Sequence, residues 1–230
     1  MWFVISIIVF IVARKVSHKI NSPLINPLLI CVAFLIALLS LLNVSFTTYY
    51  ADNAWVSYFL QASVVALAFP LYEQLPQIRA NWQTILMACG LGSVLSMLTA
   101  GSLAVIFGAS PQLIAAILTK SVTTAIALEV SSSLGGQPAI AAVLVLIVGL
   151  FGSIFAYPMY KLLRITHPVA KGLTMGTVSH ALGTATCAEK DPRDAAFSSL
   201  ALVLCGLITS LLAPFFYHFF IFCSEVLASL

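Results

Sequence analysis

Long apolar runs alternate with short polar breaks along the chain, over residues 2 to 18, 24 to 43, 55 to 72, 83 to 107, 111 to 134, 138 to 161, 170 to 188 and 195 to 223. Most approach the ~20 apolar residues that a helix needs to cross a bilayer core. Little period-2 alternation runs through them, which disfavours a transmembrane barrel with every second side chain facing a lumen. The pattern predicts an all-α polytopic membrane protein with about six full transmembrane helices. Two further segments, 111 to 134 and 170 to 188, are broken by polar residues and read as interrupted or re-entrant helices. No linker divides the runs, so a single transmembrane domain over residues 1 to 230 is expected.

Composition agrees, with 61% of residues hydrophobic and 7% charged. A soluble fold of that make-up would lack polar residues to cover its surface, whereas a bilayer supplies the apolar solvent. In the opening run MWFVISIIVFIVA the charges Arg14, Lys15 and Lys19 follow the apolar stretch, the reverse of a cleaved signal. It reads as a retained helix with its amino terminus outside. Cys31, Cys89, Cys187, Cys205 and Cys223 are scattered, suggesting neither a disulfide framework nor a metal site. The net charge of +3 is spread over loops, with no basic cluster suited to nucleic acid.

The loop cations fall in four groups: Arg14, Lys15 and Lys19; Arg79; Lys161, Arg164 and Lys171; Lys190 and Arg193. The loops near 44 to 54, 108 to 111 and 135 to 138 carry no Lys or Arg. Keeping every cation group inside places Lys161 and Lys190 on the same face as Arg79. Each interrupted segment then either enters and leaves on one face, or crosses and puts Lys161, Arg164 and Lys171 outside. The stretch GLTMGTVSHALGTATC, at about 1.5 Å per residue, falls short of a hydrocarbon core of roughly 30 Å, which favours re-entry; a broken crossing helix is the alternative.

The candidate chemistry sits in these two segments. In TKSVTTAIALE, Lys120 lies at a depth where a lysine costs about 2.5–3.5 kcal/mol. Ser121, Thr123 and Thr124 follow it and supply caps for a new helix whose free N–H groups face the break. A cation beside a helix N-terminus suits an anion; the plainer reading is a lysine that snorkels to a headgroup. In GTVSHALGTA, Thr177, His180 and Thr184 are spaced to form one polar stripe on a helix, and Gly172 and Gly176 form a close-packing step. Ser179 adds a hydroxyl, and His180 can bind a proton or donate to a carboxylate. Glu129 and His180 are the candidates for coupling transport to a proton or cation, although Glu129 also fits a helix end near a polar loop. Asn26, in NSPLINPLL, either lines the same cavity or belongs to a proline-initiated surface helix. The chain has no H-E-x-x-H, no G-x-S-x-G and no convincing pair of carboxylates, so no enzyme and no cofactor are expected.

KSVTTAIALEVSSSLGG, GLTMGTVSHALGTATCAE, INPLLI and LAFPLYEQ together resemble the LrgB/CidB membrane protein family over nearly the whole chain. Two departures are Thr119 and Ala125, where the family pattern usually has proline. The resemblance implies a bacterial inner-membrane protein with one of two roles. One is a holin- or antiholin-like modulator of murein hydrolase export and autolysis, beside an LrgA/CidA-type membrane partner. The other is a transporter of small monocarboxylates such as pyruvate, glycolate or glycerate. A lysine at membrane depth with two helix breaks favours the carrier, with Lys120, Ser121, Thr123, Thr124, Ser179, His180, Thr184 and Asn26 around the carboxylate substrate. Glycine steps of this kind favour a homodimer in the lipid bilayer.

Overall fold

Apolar runs with capping hydroxyls and prolines at their starts fold into helices throughout a computed structural model that describes residues 1–20, 27–66, 72 and 75–228. The helices are α1 (Trp2–Ile20), α2 (Pro27–Leu41), α3 (Phe46–Asp52), α4 (Ala54–Ala66), α5 (Leu75–Ile106), α6 (Pro111–Leu118), α7 (Thr124–Ser133), α8 (Pro138–Leu162), α9 (Pro168–Lys190) and α10 (Pro192–Ala228). The backbone clusters into two compact units, Met1–Ser63 and Val64–Leu230.

In the first unit α1 packs on α2. The Asp52 carboxylate accepts hydrogen bonds from the Met1 ammonium at 3.0 Å and the Trp2 amide at 3.1 Å. Ser6 and Tyr49 share a hydrogen bond of 2.8 Å, with Trp2 edge-on to the Tyr49 ring. Asn26 lies outside the described residues.

The second unit is framed by three helices long and apolar enough to cross a membrane, over Arg79–Ile106, Pro138–Leu162 and Pro192–Leu227. Between them the chain twice doubles back. Ser110 caps α6 with Pro111 in its first turn, and α6 ends at Thr119, whose hydroxyl donates to the Ala116 carbonyl at 2.8 Å. Thr123 caps α7, and the chain leaves that helix so that Gly136 abuts the Ala115 side chain. Ala115 and Gly136 would stand about 30 Å apart on a straight helix. The pair α6 and α7 is therefore a hairpin with the five residues 119–123 at its tip. Its break is sharp without the family prolines, because Thr119 terminates one arm and Thr123 starts the other.

The second reversal lies inside α9. His180 has φ 42° and ψ −132°, outside any helical region. Gly172, early in the first arm, packs against the backbone of Asp194, Gly176 against that of Ser198, and Thr184 of the second arm hydrogen-bonds Ser198 at 2.7 Å. Lys190 ends that second arm only two residues before Pro192. The two arms thus enter and leave beside the same end of α10, which is the re-entrant form of this segment. The glycine step works as expected: without side chains at 172 and 176 the arm and α10 approach backbone to backbone.

The first hairpin joins the end of α5 to the start of α8, and the second joins the end of α8 to the start of α10, so they are rooted at opposite ends of α8. α6 is about 12 Å long and the first arm of α9 about 18 Å, so each tip ends inside the bundle.

Candidate functional site

Both tips converge on α5 and α8. Val122 of the first tip shares a buried cluster with Ala116, Ala127, Ala141 and Val145. His180 of the second tip places Nε2 2.9 Å from the Val145 carbonyl oxygen. A carbonyl only accepts, so Nε2 carries the hydrogen and donates it. The ring reaches that carbonyl because Gly149, one turn on, has no side chain; a Cβ there would strike the imidazole. Gly152 in the same way makes room for Ser179. On α5, Gly92 receives Thr177 from the second hairpin, and Ser96, four residues or about 6 Å further along, receives Lys120 from the first.

The Lys120 ammonium donates to Ser96 Oγ at 2.9 Å and Ser121 Oγ at 3.1 Å, and those hydroxyls lie 3.0 Å from each other. Among the described residues no carboxylate pairs with it. Hydrogen bonds to a charged group contribute about 1.5–3 kcal/mol each, so two hydroxyls can offset a burial cost of about 2.5–3.5 kcal/mol without a counter-ion. An ammonium has three donors, and one hydroxyl hydrogen remains after Ser96 and Ser121 bond each other. The triangle therefore retains one charged and one neutral donor for an anion. Thr123 is buried and its hydroxyl accepts the Ile126 amide, while Thr124 is exposed.

Among the sequence-predicted residues, Lys120, Ser121 and Thr123 lie at one tip and Ser179 and His180 at the other. The expected stripe of Thr177, His180 and Thr184 is not formed. It required an unbroken helix, and the reversal at His180 sends Thr177 to α5, His180 to α8 and Thr184 to Ser198 of α10. Glu129 is exposed on α7.

Sequence reasoning missed Ser96, the Val145 carbonyl and a second polar cluster at the root of the α9 hairpin. There Asp194 Oδ2 accepts from Lys171 Nζ and Tyr157 Oη, each at 2.8 Å, and Tyr157 also lies beneath the ammonium. Nearby, Arg193 hydrogen-bonds Asp191, holding that carboxyl below the usual carboxylate range. Ser96 lies in GLGSVLSMLTAGS, a stretch rich in small residues within an apolar helix, and nothing in that stretch singles it out. Nothing in the sequence marks one backbone carbonyl among many.

Among the described residues, three helices long and apolar enough to cross a bilayer, with two hairpins ending inside the bundle, give the build of an all-helical membrane protein. The chain belongs to the LrgB-like family, whose profile matches residues 6–219. It is 45% identical over 213 residues to an uncharacterized protein of Haemophilus influenzae, covering 93% of this chain and 92% of that one. It is 35% identical to the holin-like protein CidB of Staphylococcus epidermidis, covering 91% and 92% of the two chains. It is 34% identical to the antiholin-like protein LrgB of Bacillus cereus, covering 88% of each. No solved structure matches the chain.

Proposed function

We propose that the protein is a multi-pass carrier of the bacterial inner membrane that moves small monocarboxylates of the glycolate, glycerate or pyruvate class by alternating access around the two hairpin tips. The observation that carries this reading is the Lys120 ammonium, held by two hydroxyls and paired with no described carboxylate. A substrate carboxylate takes the remaining ammonium hydrogen and the spare hydroxyl donor, with the first amides of α7 adding positive potential. The hydroxyl or keto oxygen of the substrate is met by Ser179, Thr123 or Thr124. Hairpins rooted at opposite ends of α8 suit alternating access, since each tip blocks the path from one side. Of the two coupling candidates, His180 is buried at the crossing and Glu129 is exposed. Thr184, turned to Ser198, serves the hairpin more directly than the substrate.

A second reading is favoured by the printed names of relatives, holin-like CidB and antiholin-like LrgB, which fit it better than they fit a carrier. In that reading the protein acts on autolysis with an LrgA/CidA-type membrane partner, as a homodimer or larger assembly.

Uptake of labelled glycolate, glycerate and pyruvate into proteoliposomes holding this protein alone separates the two. The carrier reading expects saturable uptake that falls at least tenfold in Lys120→Ala. Leakage of an uncharged dye that is indifferent to this substitution, with no saturable uptake, supports the holin-like reading instead.

A further inference from the structure

Asp194 stands apart from the other described carboxylates. Asp52 and Asp191 are 41% and 25% exposed at their side chains, and Glu129, Glu189 and Glu225 are exposed, but Asp194 is wholly buried. Its Oδ2 takes both Lys171 and Tyr157, while its buried Oδ1 has no partner among the described residues. An ionised carboxylate carries acceptor positions on both oxygens, so half of this group is left bare in an apolar setting. Lys171 is 16% exposed at its side chain and lies in front of the carboxylate. The other titratable or charged groups facing Asp194 are Tyr157 and Tyr160 from α8, Cys187 from the second arm of α9, and Arg193 from its own helix. Arg193 is turned to Asp191.

One ammonium at this position can neutralise one carboxylate. An anion arriving from solution meets Lys171 first, and taking it strands Asp194 as an unpaired buried charge unless a proton arrives as well. We infer that Asp194 and Lys171 form a proton-coupled loading site for a small monocarboxylate, in which the anion takes over Lys171 and the displaced Asp194 takes a proton on its free Oδ1. The inference rests on the carrier reading. One O–H bond forms at Oδ1 as one breaks in a hydronium ion of the aqueous phase, which leaves as water; Lys171 keeps its proton, and the anion and proton together add no net charge to the site. Lys171 stands nine residues before His180, about 13 Å along the arm, so the anion is loaded at the hairpin root before it reaches Lys120 at the crossing. Coupling then belongs to the root of the second hairpin, apart from both His180 and Glu129. A purely structural latch between α9 and α10 would use the same ion pair, but it would require neither a free oxygen nor an exchangeable lysine.

The test uses proteoliposomes of the full chain loaded with a pH-sensitive dye and given labelled glycolate. Wild-type protein is expected to bring in about one proton per glycolate. Asp194→Asn leaves Lys171 without its carboxylate and is expected to lower the number of protons entering per glycolate to near zero, whatever the rate of the uptake that remains. The double variant Asp194→Asn with Lys171→Gln leaves no charge stranded, so it carries the test if the single variant does not fold; its uptake is expected to fall at least tenfold. Glycolate uptake without protons in the wild type, an unchanged proton ratio in Asp194→Asn, or wild-type uptake in the double variant overturns the assignment while leaving the carrier reading intact. Absence of saturable uptake in the wild type sinks the carrier reading, and this inference with it.

Discussion

His180 concentrates the local conflicts of the structure in one residue. Its φ of 42° lies in the region that favours glycine, where a side chain costs on the order of 1–3 kcal/mol. The residue is held there by its ring, which is buried and bonded to Val145 through the gap at Gly149. His180→Ala loses the hydrogen bond and keeps the strain; His180→Gly loses the hydrogen bond and relieves it. Thermal unfolding in detergent should therefore find the alanine variant less stable than the glycine variant by about 1 kcal/mol, and equal stabilities would remove the strain argument. Lys120 and His180 were legible in the sequence because a charged or titratable group in an apolar run demands a reason. Ser96 was not, because a serine costs little in a helix and its role appears only once Lys120 is placed beside it.

At the scale of elements, the two hairpins share a plan but end by different means. The first turns through the five residues from Thr119 to Thr123, whereas the second turns at one residue and depends on glycines in its neighbours. Gly172 and Gly176 let the α9 arm lie on the α10 backbone, and a Cβ at either position meets backbone atoms that cannot swing aside. Gly176→Val is expected to destabilise by about 1–3 kcal/mol through overpacking, read as a fall in the midpoint of detergent-solubilised unfolding. Gly108→Val offers the comparison, since it too lacks a side chain but has open space around it; its cost comes from φ of 66° alone, without displacing α10. The breaks were legible as polar interruptions and short lengths. The stripe failed because spacing along a chain gives a shared face only while the helix continues.

Two re-entries resolve the charge distribution of the second unit. With both hairpins doubling back, Arg79 lies near the start of α5, Lys161 and Arg164 near the end of α8, and Lys171, Lys190 and Arg193 at the root of the second hairpin, all at one end of the framing helices. The cation-free stretches near 107–110 and 134–137 lie at the other. Lys120, at the crossing, is the exception. Such asymmetry orients a membrane protein with its cations inside. In a cysteine-free background, membrane-impermeant thiol reagents should label Gln112→Cys and Gln137→Cys from one face, and Thr166→Cys and Glu189→Cys from the other. Labelling of Thr166→Cys and Glu189→Cys from opposite faces would show that the second segment crosses.

The sequence by itself determined the helical class, the positions of both breaks and the residues whose burial needs compensation, because apolar length and the cost of a polar group at membrane depth are local quantities. Only the tertiary structure decided that the breaks are reversals, that their tips meet at Val145, that Lys120 lands on Ser96, and that Lys171 pairs with the buried Asp194. Those outcomes depend on which backbones can approach one another. That is set by glycines on neighbouring helices, and no spacing within a single segment records it.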